Sequence, residues 1–221
     1  MALFPGDDPA DGDDLSLAAR SEERQRAILV ALLESTLGAQ GDEIAASLLE
    51  TYGSIGGVVG AGHPAIQAAA GVHIANRLQA IRLCLREMVT PENRARPSLA
   101  DMRQLIDYLI VTASYAPVEQ VRVLFLNTKL DLIRDELVAS GCVDEVSIYV
   151  RPILKRALEL GATAVVLVHN HPSGDPMPSK ADRLVTLALA KGLDAIGVRL
   201  IDHIVVAKGN WLSFRAEQLL A

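Results

Sequence analysis

The chain has 221 residues, half of them hydrophobic, and a formal net charge of −6. This length allows one or two domains with substantial cores, and no apolar run approaches the roughly 18 residues that a membrane-spanning helix needs. No stretch is strongly basic, which disfavours the phosphate-binding surface of a nucleic-acid-binding protein. The first residues lack the basic and apolar regions of a secretory signal, so we expect a cytoplasmic protein without membrane contacts.

The first part of the chain predicts a tail followed by a small helical domain. Residues 1–14 are acidic and contain Pro and Gly, which favours a disordered tail. Residues 15–90 carry apolar side chains at helical spacing, with breaks at glycine-rich stretches, so we predict an all-α domain. Residues 91–97 are polar and begin and end with proline, as in a linker. We expect residues 98–221 to form a second domain that folds without the first.

Both helical and strand periods occur in residues 98–221. The predicted helices are 98–111, 152–160 and 179–190, and the predicted strands are 121–126, 130–139, 164–169 and 198–207. A Lys-Gly-Asn turn at 208–210 leads into a last short strand. Helices that alternate with strands in this way predict an α/β domain with helices packed around a mixed sheet.

The sequence His169-Asn-His171 follows the short, β-branched strand 164–169. Side chains alternate along a strand, so both imidazoles point to the same face and Asn170 points away. The following residues include Pro172, Pro176 and Pro178, which remove backbone donors, and Gly174, which permits a sharp turn. The chain must therefore leave the sheet directly after the two histidines.

Ser179 is a natural N-cap for the helix that follows this loop, and Asp182 lies in its first turn. If the loop folds the helix start over the strand end, Asp182 faces both histidines. Two imidazoles and a carboxylate, with a fourth position for water, are the ligands of a catalytic zinc site, where water ionises with a pKa of about 7. The alternative is structural: a capping box between Ser179 and Asp182, with histidines satisfied in the core.

The pattern H-x-H-P, six residues, S-x-x-D resembles the JAMM (MPN+) metalloprotease motif. The variant from His169 to Asp182 resembles that of the bacterial RadC-like (UPF0758) proteins, as do the segments 122–129 and 197–204. The resemblance covers residues 98–221 well and the first hundred residues loosely. It implies a JAMM/MPN fold, a cytidine-deaminase-like three-layer domain, preceded by a helix-hairpin-helix-like domain. It also implies Zn²⁺ as the cofactor, bound by His169, His171 and Asp182.

Two catalytic roles are implied by the same resemblance. Glu119, just before the strand 121–126, matches the glutamate that carries the proton between water and leaving group. Ser179 matches the serine that helps to stabilise the oxyanion, although it competes with its own role as N-cap. Asn170 and Ser173 are candidates for supporting the ligands. Should Glu119 be distant, Glu136, Asp144 and Glu145 are the alternative acids, whereas His63, His73 and His203 stay outside the predicted site.

The predicted hairpin of the helical domain departs from the DNA-binding pattern. Its turn reads Gly71-Val72-His73, so a residue with a Cβ replaces the second glycine that would let the backbone approach a phosphate. We therefore expect weak DNA binding at most, although a DNA partner stays possible. Cys84 and Cys142 lack metal-ligand spacing and are expected to be buried, reduced thiols.

Three functions remain open from the sequence. The first is a JAMM-type zinc hydrolase that cleaves a peptide or isopeptide bond in a peptide or protein substrate. The second is a DNA-associated protein, such as a metal-dependent phosphodiesterase, in line with the family's historical label of DNA repair. The third is a non-catalytic scaffold whose metal braces the fold. The sequence leaves the substrate and the oligomeric state undetermined.

Overall fold

The computed structural model describes residues 14–37, 40–89, 102–141 and 148–220. Residues 1–13 of the predicted tail and the whole predicted linker lie outside these ranges, as do Cys142, Asp144 and Glu145. None of the described helices combines the length and the apolar character that crossing a membrane requires.

Five helices make up the described part of the predicted all-α region. They are α1 (Asp14–Leu37), α2 (Gly41–Tyr52), α3 (Ile55–Gly60), α4 (His63–Ala70) and α5 (Val72–Val89). The chain divides into two compact units between Val58 and Val59. In the first unit, α1 and α2 bury Leu29, Leu33 and Leu48. The predicted domain boundary near Pro97 falls outside the described residues and stays a prediction.

The predicted hairpin lies in the second unit, between α4 and α5. Its Gly71 adopts φ 87° and ψ 164°, a conformation that side chains with a Cβ rarely reach. The imidazole Nε2 of His63 lies 2.8 Å from Oδ1 of Asn76, which joins the two helices beside the turn.

The rest of the second unit is a mixed α/β domain, as predicted. Its elements are α6 (Met102–Thr112), β1 (Glu119–Leu126), β2 (Leu132–Gly141), α7 (Val150–Glu159), β3 (Ala164–Asn170), α8 (Lys180–Asp194), β4 (Arg199–Ala207) and β5 (Asn210–Ser213). The strand order is β2-β1-β3-β4-β5. β3 and β4 are parallel, and the other neighbours are antiparallel. β2 begins two residues later than predicted because Leu130 takes φ 63° in the turn after β1.

Helices cover both faces of this sheet and give it three layers. On one face α6 packs Leu105, Ile106 and Leu109 against even-numbered residues of β3 such as Val166 and Val168. On the other face α7 and α8 pack against odd-numbered residues of β1 and β3, which include Val123, Phe125, Val165 and Leu167. All seven residues of β3 are buried, so β3 is the central strand of the domain.

The strand register brings two predicted site residues to one place. Val121 pairs with His169 across the antiparallel β1–β3 ladder, so the start of β1 lies beside the end of β3. Glu119 and His169 have the same parity as the residues that face α7 and α8, and alternation places both on that side. The sheet therefore brings Glu119 and the first histidine together, although 50 residues separate them in the chain.

The segment between α6 and β1 is held close to Gly60. An added Cβ on Gly60 would lie 2.3 Å from Cβ and 3.0 Å from the carbonyl oxygen of Tyr115. The neighbouring Ser114 accepts hydrogen bonds from the backbone N–H groups of Lys208 and Gly209, in the turn after β4. This segment thus connects Gly60, the β4–β5 turn and the start of β1.

We predict that Gly60→Ala destabilises the protein by about 1–3 kcal/mol, because the new methyl group overlaps the backbone of Tyr115. Gly62→Ala is the matched control, since its Cβ would meet only Pro64 Cδ at 3.8 Å and its φ is −66°. Urea unfolding measures both variants. Equal stability of the two variants would contradict this account of the contact between Gly60 and Tyr115.

Candidate metal centre

His169 lies at the centre of the candidate site, near the end of β3. Its side chain is buried, and carboxylates approach it from two sides. Glu119 Oε1 lies 2.5 Å from its Nε2, and Asp182 Oδ1 lies 3.0 Å from its Nδ1. Neither ring nitrogen makes a hydrogen bond of good geometry within the described part of the chain, so both carboxylates are close but poorly aligned for N–H donation. Buried polar atoms without such partners are uncommon and indicate a missing ligand or ion.

His171 follows in the loop, with its ring edge-on to that of His169 and the ring centroids 4.8 Å apart. Its Nδ1 lies 2.8 Å from the backbone oxygen of Asp175. Because a carbonyl only accepts, Nδ1 carries the proton, and Nε2 is the nitrogen left for a metal when the ring is neutral. The turn that brings Asp175 back to His171 depends on Gly174, whose φ is 97°.

Asp182 lies in the first turn of α8 and faces both imidazoles, as predicted. Its Oδ2 lies 3.7 Å from His171 Nε2 and accepts hydrogen bonds from Ser179 N and Ser179 Oγ, each at 2.7 Å. Ser179 Oγ in turn accepts from Asp182 N. The predicted capping box is therefore present, together with the contacts to the histidines, so the structural and the metal-binding interpretations of Asp182 are compatible.

The electrostatics of the group favour an anionic Asp182 and a cation beside it. Burial alone would raise the pKa of Asp182, but His169, His171 and Ser179 outweigh it and hold the pKa of this carboxyl well below its ordinary value. The Asp182 carboxylate raises the pKa of His171, against the lowering effect of partial burial. Positive charge is thus stabilised beside Asp182.

Glu119, His169 and His171 are placed to bind a metal ion, with their ligand atoms all within 4.8 Å of one another. Asp182 lies against the same two imidazoles from the opposite side of His169. Nitrogen and carboxylate oxygen atoms in this combination suit zinc and other transition-metal ions. The poorly aligned ring nitrogens of His169 and the anionic Asp182 are the observations that fit such an ion.

A buried hydrogen-bond network, which the sequence did not predict, connects the Asp182 backbone to β4. Thr186 Oγ1 donates to the backbone oxygen of Asp182 at 2.5 Å, and it lies 2.7 Å from His203 Nδ1. His203 on β4 is therefore an Nδ1–H donor to Thr186, and its Nε2 has no hydrogen-bond partner among the residues that the structure describes. Burial lowers the pKa of His203 to about 3, and nearby His169 adds to the effect. The ring stacks on Phe214, with centroids 4.3 Å apart.

Other candidate residues serve elsewhere. Glu136, an alternative acid, is bound by the guanidinium of Arg156, with its closest contact at 2.6 Å. Ser173 accepts a hydrogen bond from the Asp175 backbone within the loop. Cys84 is exposed, so the expectation of a buried thiol was wrong there, because it lies on an outward position of α5. Asp144, Glu145 and Cys142 lie outside the described residues.

Comparison with known proteins identifies the family of this chain. The family model for the RadC-like JAB domain matches residues 99–219. The chain belongs to the RadC-like JAB domain family. A UPF0758 protein of Rhodobacter capsulatus is 42% identical over 179 residues, which cover 80% of this chain and 84% of that protein. A UPF0758 protein of Ruegeria pomeroyi is 38% identical over 179 residues, covering 80% of each chain.

The match places the JAB domain over every element that forms the candidate site, from β1 to β4. It confirms the resemblance to RadC-like proteins that the His169–Asp182 motif indicated. The mixed sheet between two helical layers likewise agrees with the JAB/MPN fold that the resemblance implied.

We predict that the protein purified without chelator and supplied with Zn²⁺ binds one ion per chain, and that His171→Ala loses it. The reason is that His171 Nε2 is the ring nitrogen left free by the bond to Asp175. Binding should weaken as the pH falls. The loss should begin above the ordinary imidazole pKa of about 6.5, because Asp182 raises the pKa of His171. Metal analysis after dialysis measures this. The control is His73→Ala, at an exposed position of α5; full stoichiometry in both variants would refute the assignment.

A second prediction concerns acid stability of the metal-free protein. His203 stays neutral in the folded state, whereas an unfolded histidine binds a proton near pH 6.5, so the unfolded state binds more protons as pH falls. Stability should therefore be lost between about pH 6.5 and 3, with a slope of up to about 1.4 kcal/mol per pH unit from this group. Urea unfolding at several pH values should show a shallower dependence in His203→Gln but not in His73→Gln. Parallel curves for wild type and His203→Gln would exclude His203 as the cause.

Proposed function

We propose that this protein is a zinc-dependent hydrolase that cleaves an amide bond, either a peptide or an isopeptide bond. One observation supports it most. Glu119 on β1, His169 on β3, His171 in the loop after β3 and Asp182 on α8 meet at one end of the sheet. Membership of the RadC-like JAB domain family supports the same reaction class. A peptide or protein is the substrate class that this reaction requires.

His169, His171 and Asp182 would hold the zinc ion, and Glu119 would stay free beside it. Two observations support this division. Asp182 contacts both imidazoles, whereas the close contact of Glu119 is with His169 alone. Asp182 is also fixed in place by the cap of α8, as a ligand should be. Zinc bound there supplies Lewis acidity, which polarises a carbonyl group and lets water ionise near neutral pH.

Glu119 is the proposed acid/base of the reaction. Its side chain is 14% exposed, so it can meet both water and a substrate. A carboxylate there accepts the proton of the attacking water on Oε1 or Oε2 and returns it to the nitrogen of the leaving amine. Its Oε1 lies 2.5 Å from Nε2 of His169, one of the proposed ligands. Glu119 would thus hold the proton between the attack of water on the carbonyl carbon and the cleavage of the C–N bond.

Ser179 is the proposed donor to the oxyanion, and its geometry sets a condition on that role. Its single hydroxyl proton is directed to Asp182 Oδ2. To donate to a substrate oxygen it must release that bond, while its backbone N–H keeps Asp182 in place. An Asp182 carboxylate bound to a cation is a weaker acceptor, which would favour this exchange.

The rival hypotheses predict different results in one assay. A zinc-dependent phosphodiesterase would release nucleotides from DNA, and a scaffold would bind zinc without turnover. Zinc-loaded protein, incubated in parallel with duplex DNA and with a library of quenched fluorescent peptides and isopeptide-linked conjugates, should release amine products that a chelator suppresses and should leave the DNA intact. Cleavage of DNA in place of amides would overturn the proposed function.

We predict that Glu119→Gln lowers turnover by about 10²–10⁴-fold, the usual effect of losing a general acid/base. The amide keeps the shape of the side chain, so folding and zinc stoichiometry should stay at wild-type values. His171→Ala, in contrast, should lose zinc and activity together. Kinetics and metal analysis of the two variants separate proton transfer from metal retention.

Two outcomes would contradict this assignment. Unchanged turnover in Glu119→Gln would remove Glu119 from the mechanism. A loss of zinc in Glu119→Gln would make Glu119 a ligand, a role that its distance from His169 and His171 also permits.

A further inference from the structure

Asn170 lies between the two histidines of the motif, yet its side chain serves the opposite strand. It is almost fully buried and, by alternation, points away from His169 to the other face of β3. Its Oδ1 accepts a hydrogen bond from Gln120 N at 2.8 Å, and its Nδ2 donates to the backbone oxygen of Val118 at 3.1 Å. A longer contact, 3.5 Å, joins Nδ2 to the backbone oxygen of Ala116.

These bonds bracket one residue. Val118 and Gln120 are the chain neighbours of Glu119, so the Asn170 carboxamide holds the peptide groups on both sides of it. At this point β1 has just begun, and the regular ladder to β3 starts at the pair Gln120–Asn170. On the β3 side the carboxamide therefore supplies the acceptor for Gln120 N and the donor for the Val118 oxygen, whereas on the other side Glu119 pairs with Gly141 of β2.

We infer that Asn170 is a positioning residue for Glu119: it fixes the backbone at residues 118–120 so that the Glu119 carboxylate stays against His169. The contact it maintains is the 2.5 Å approach of Glu119 Oε1 to His169 Nε2. Without the clamp, the backbone at Glu119 would be held by its pairing with Gly141 of β2 but not from the β3 side. Only the catalytic meaning of Glu119 rests on the proposed function; the clamp itself does not.

The choice of asparagine at this position has a chemical reason. A backbone N–H and a backbone C=O must be satisfied by one buried side chain, and a carboxamide carries both an acceptor and a donor. Aspartate offers acceptors alone and would face the Val118 oxygen with negative charge. Serine is too short to reach both groups. Asn170→Asp keeps half of the clamp, and Asn170→Ala removes all of it.

Strand β1 offers a matched control at its other end. Asn127 follows β1 and also binds two backbone N–H groups with its side chain, those of Lys129 and Asp131. Loss of either asparagine side chain should lower the unfolding temperature, because backbone groups lose their partners. Only Asn170 lies near Glu119, so only its loss should change the environment of His169.

The test is ¹⁵N NMR of the histidine rings in the intact, metal-free protein at pH 7.5. The chain has five histidines, so the spectrum is simple enough to assign by substitution. Glu119→Gln should shift the Nε2 resonance of His169, since it removes the carboxylate at that atom. Asn170→Ala and Asn170→Asp should shift the same resonance in the same direction. Asn127→Ala should leave it at the wild-type position, and adding Asn170→Ala to Glu119→Gln should cause no further shift.

Two results would overturn the inference. One is a folded Asn170→Ala or Asn170→Asp protein whose His169 resonance is unchanged. The other is a shift from Asn170→Ala that is as large in the Glu119→Gln background as in wild type, which would mean that Asn170 acts on His169 directly. Both results are measured without metal or substrate, so they can be distinguished from a failure of zinc binding or of amide cleavage. Should Asn170→Ala not fold, Asn170→Ser provides the same comparison.

Discussion

His169 is enclosed by two carboxylates in a buried position, and the rest of the domain is arranged around that contact. Glu119 and Asp182 approach its two ring nitrogens at 2.5 Å and 3.0 Å. Two anionic groups in a poorly solvated place repel each other and lose hydration unless positive charge lies between them. A divalent cation bound there would supply that charge. Contacts with His169, His171 and Ser179 hold the pKa of the Asp182 carboxyl well below its ordinary value, and Asp182 in turn raises the pKa of His171.

Ordinary local structure brings these groups together. β3 is buried along its whole length and delivers His169 at its end. The loop after it is turned by Gly174 and bonded to His171 through the Asp175 carbonyl. The capping box of α8 then sets Asp182 against both rings. Each of these local structures is common in proteins. What distinguishes the site is that they follow one another within 14 residues of sequence.

The parts of the site that are close in sequence were predictable, and the parts that depend on strand pairing were not. Alternation along β3 predicted the shared face of the two histidines, and Ser179 predicted both the helix start and the position of Asp182. Glu119 came from the resemblance alone, because nothing in a single sequence shows that β1 pairs antiparallel with β3. The bonds of Asn170 to Val118 and Gln120, and of His203 to Thr186, require the same tertiary knowledge. The exposure of Cys84 was mispredicted because residue type was used where helix position decides burial.

Anomalous X-ray diffraction at the zinc absorption edge tests the central claim most directly. Crystals of the wild-type protein grown with Zn²⁺ should show one strong anomalous peak about 2.0–2.2 Å from a ring nitrogen of His169, from His171 Nε2 and from an oxygen of Asp182. The Glu119 carboxylate should lie within reach of the ion through one water molecule but not bind it. A peak elsewhere on the chain, or the absence of a peak at this position in zinc-saturated crystals, would contradict the account.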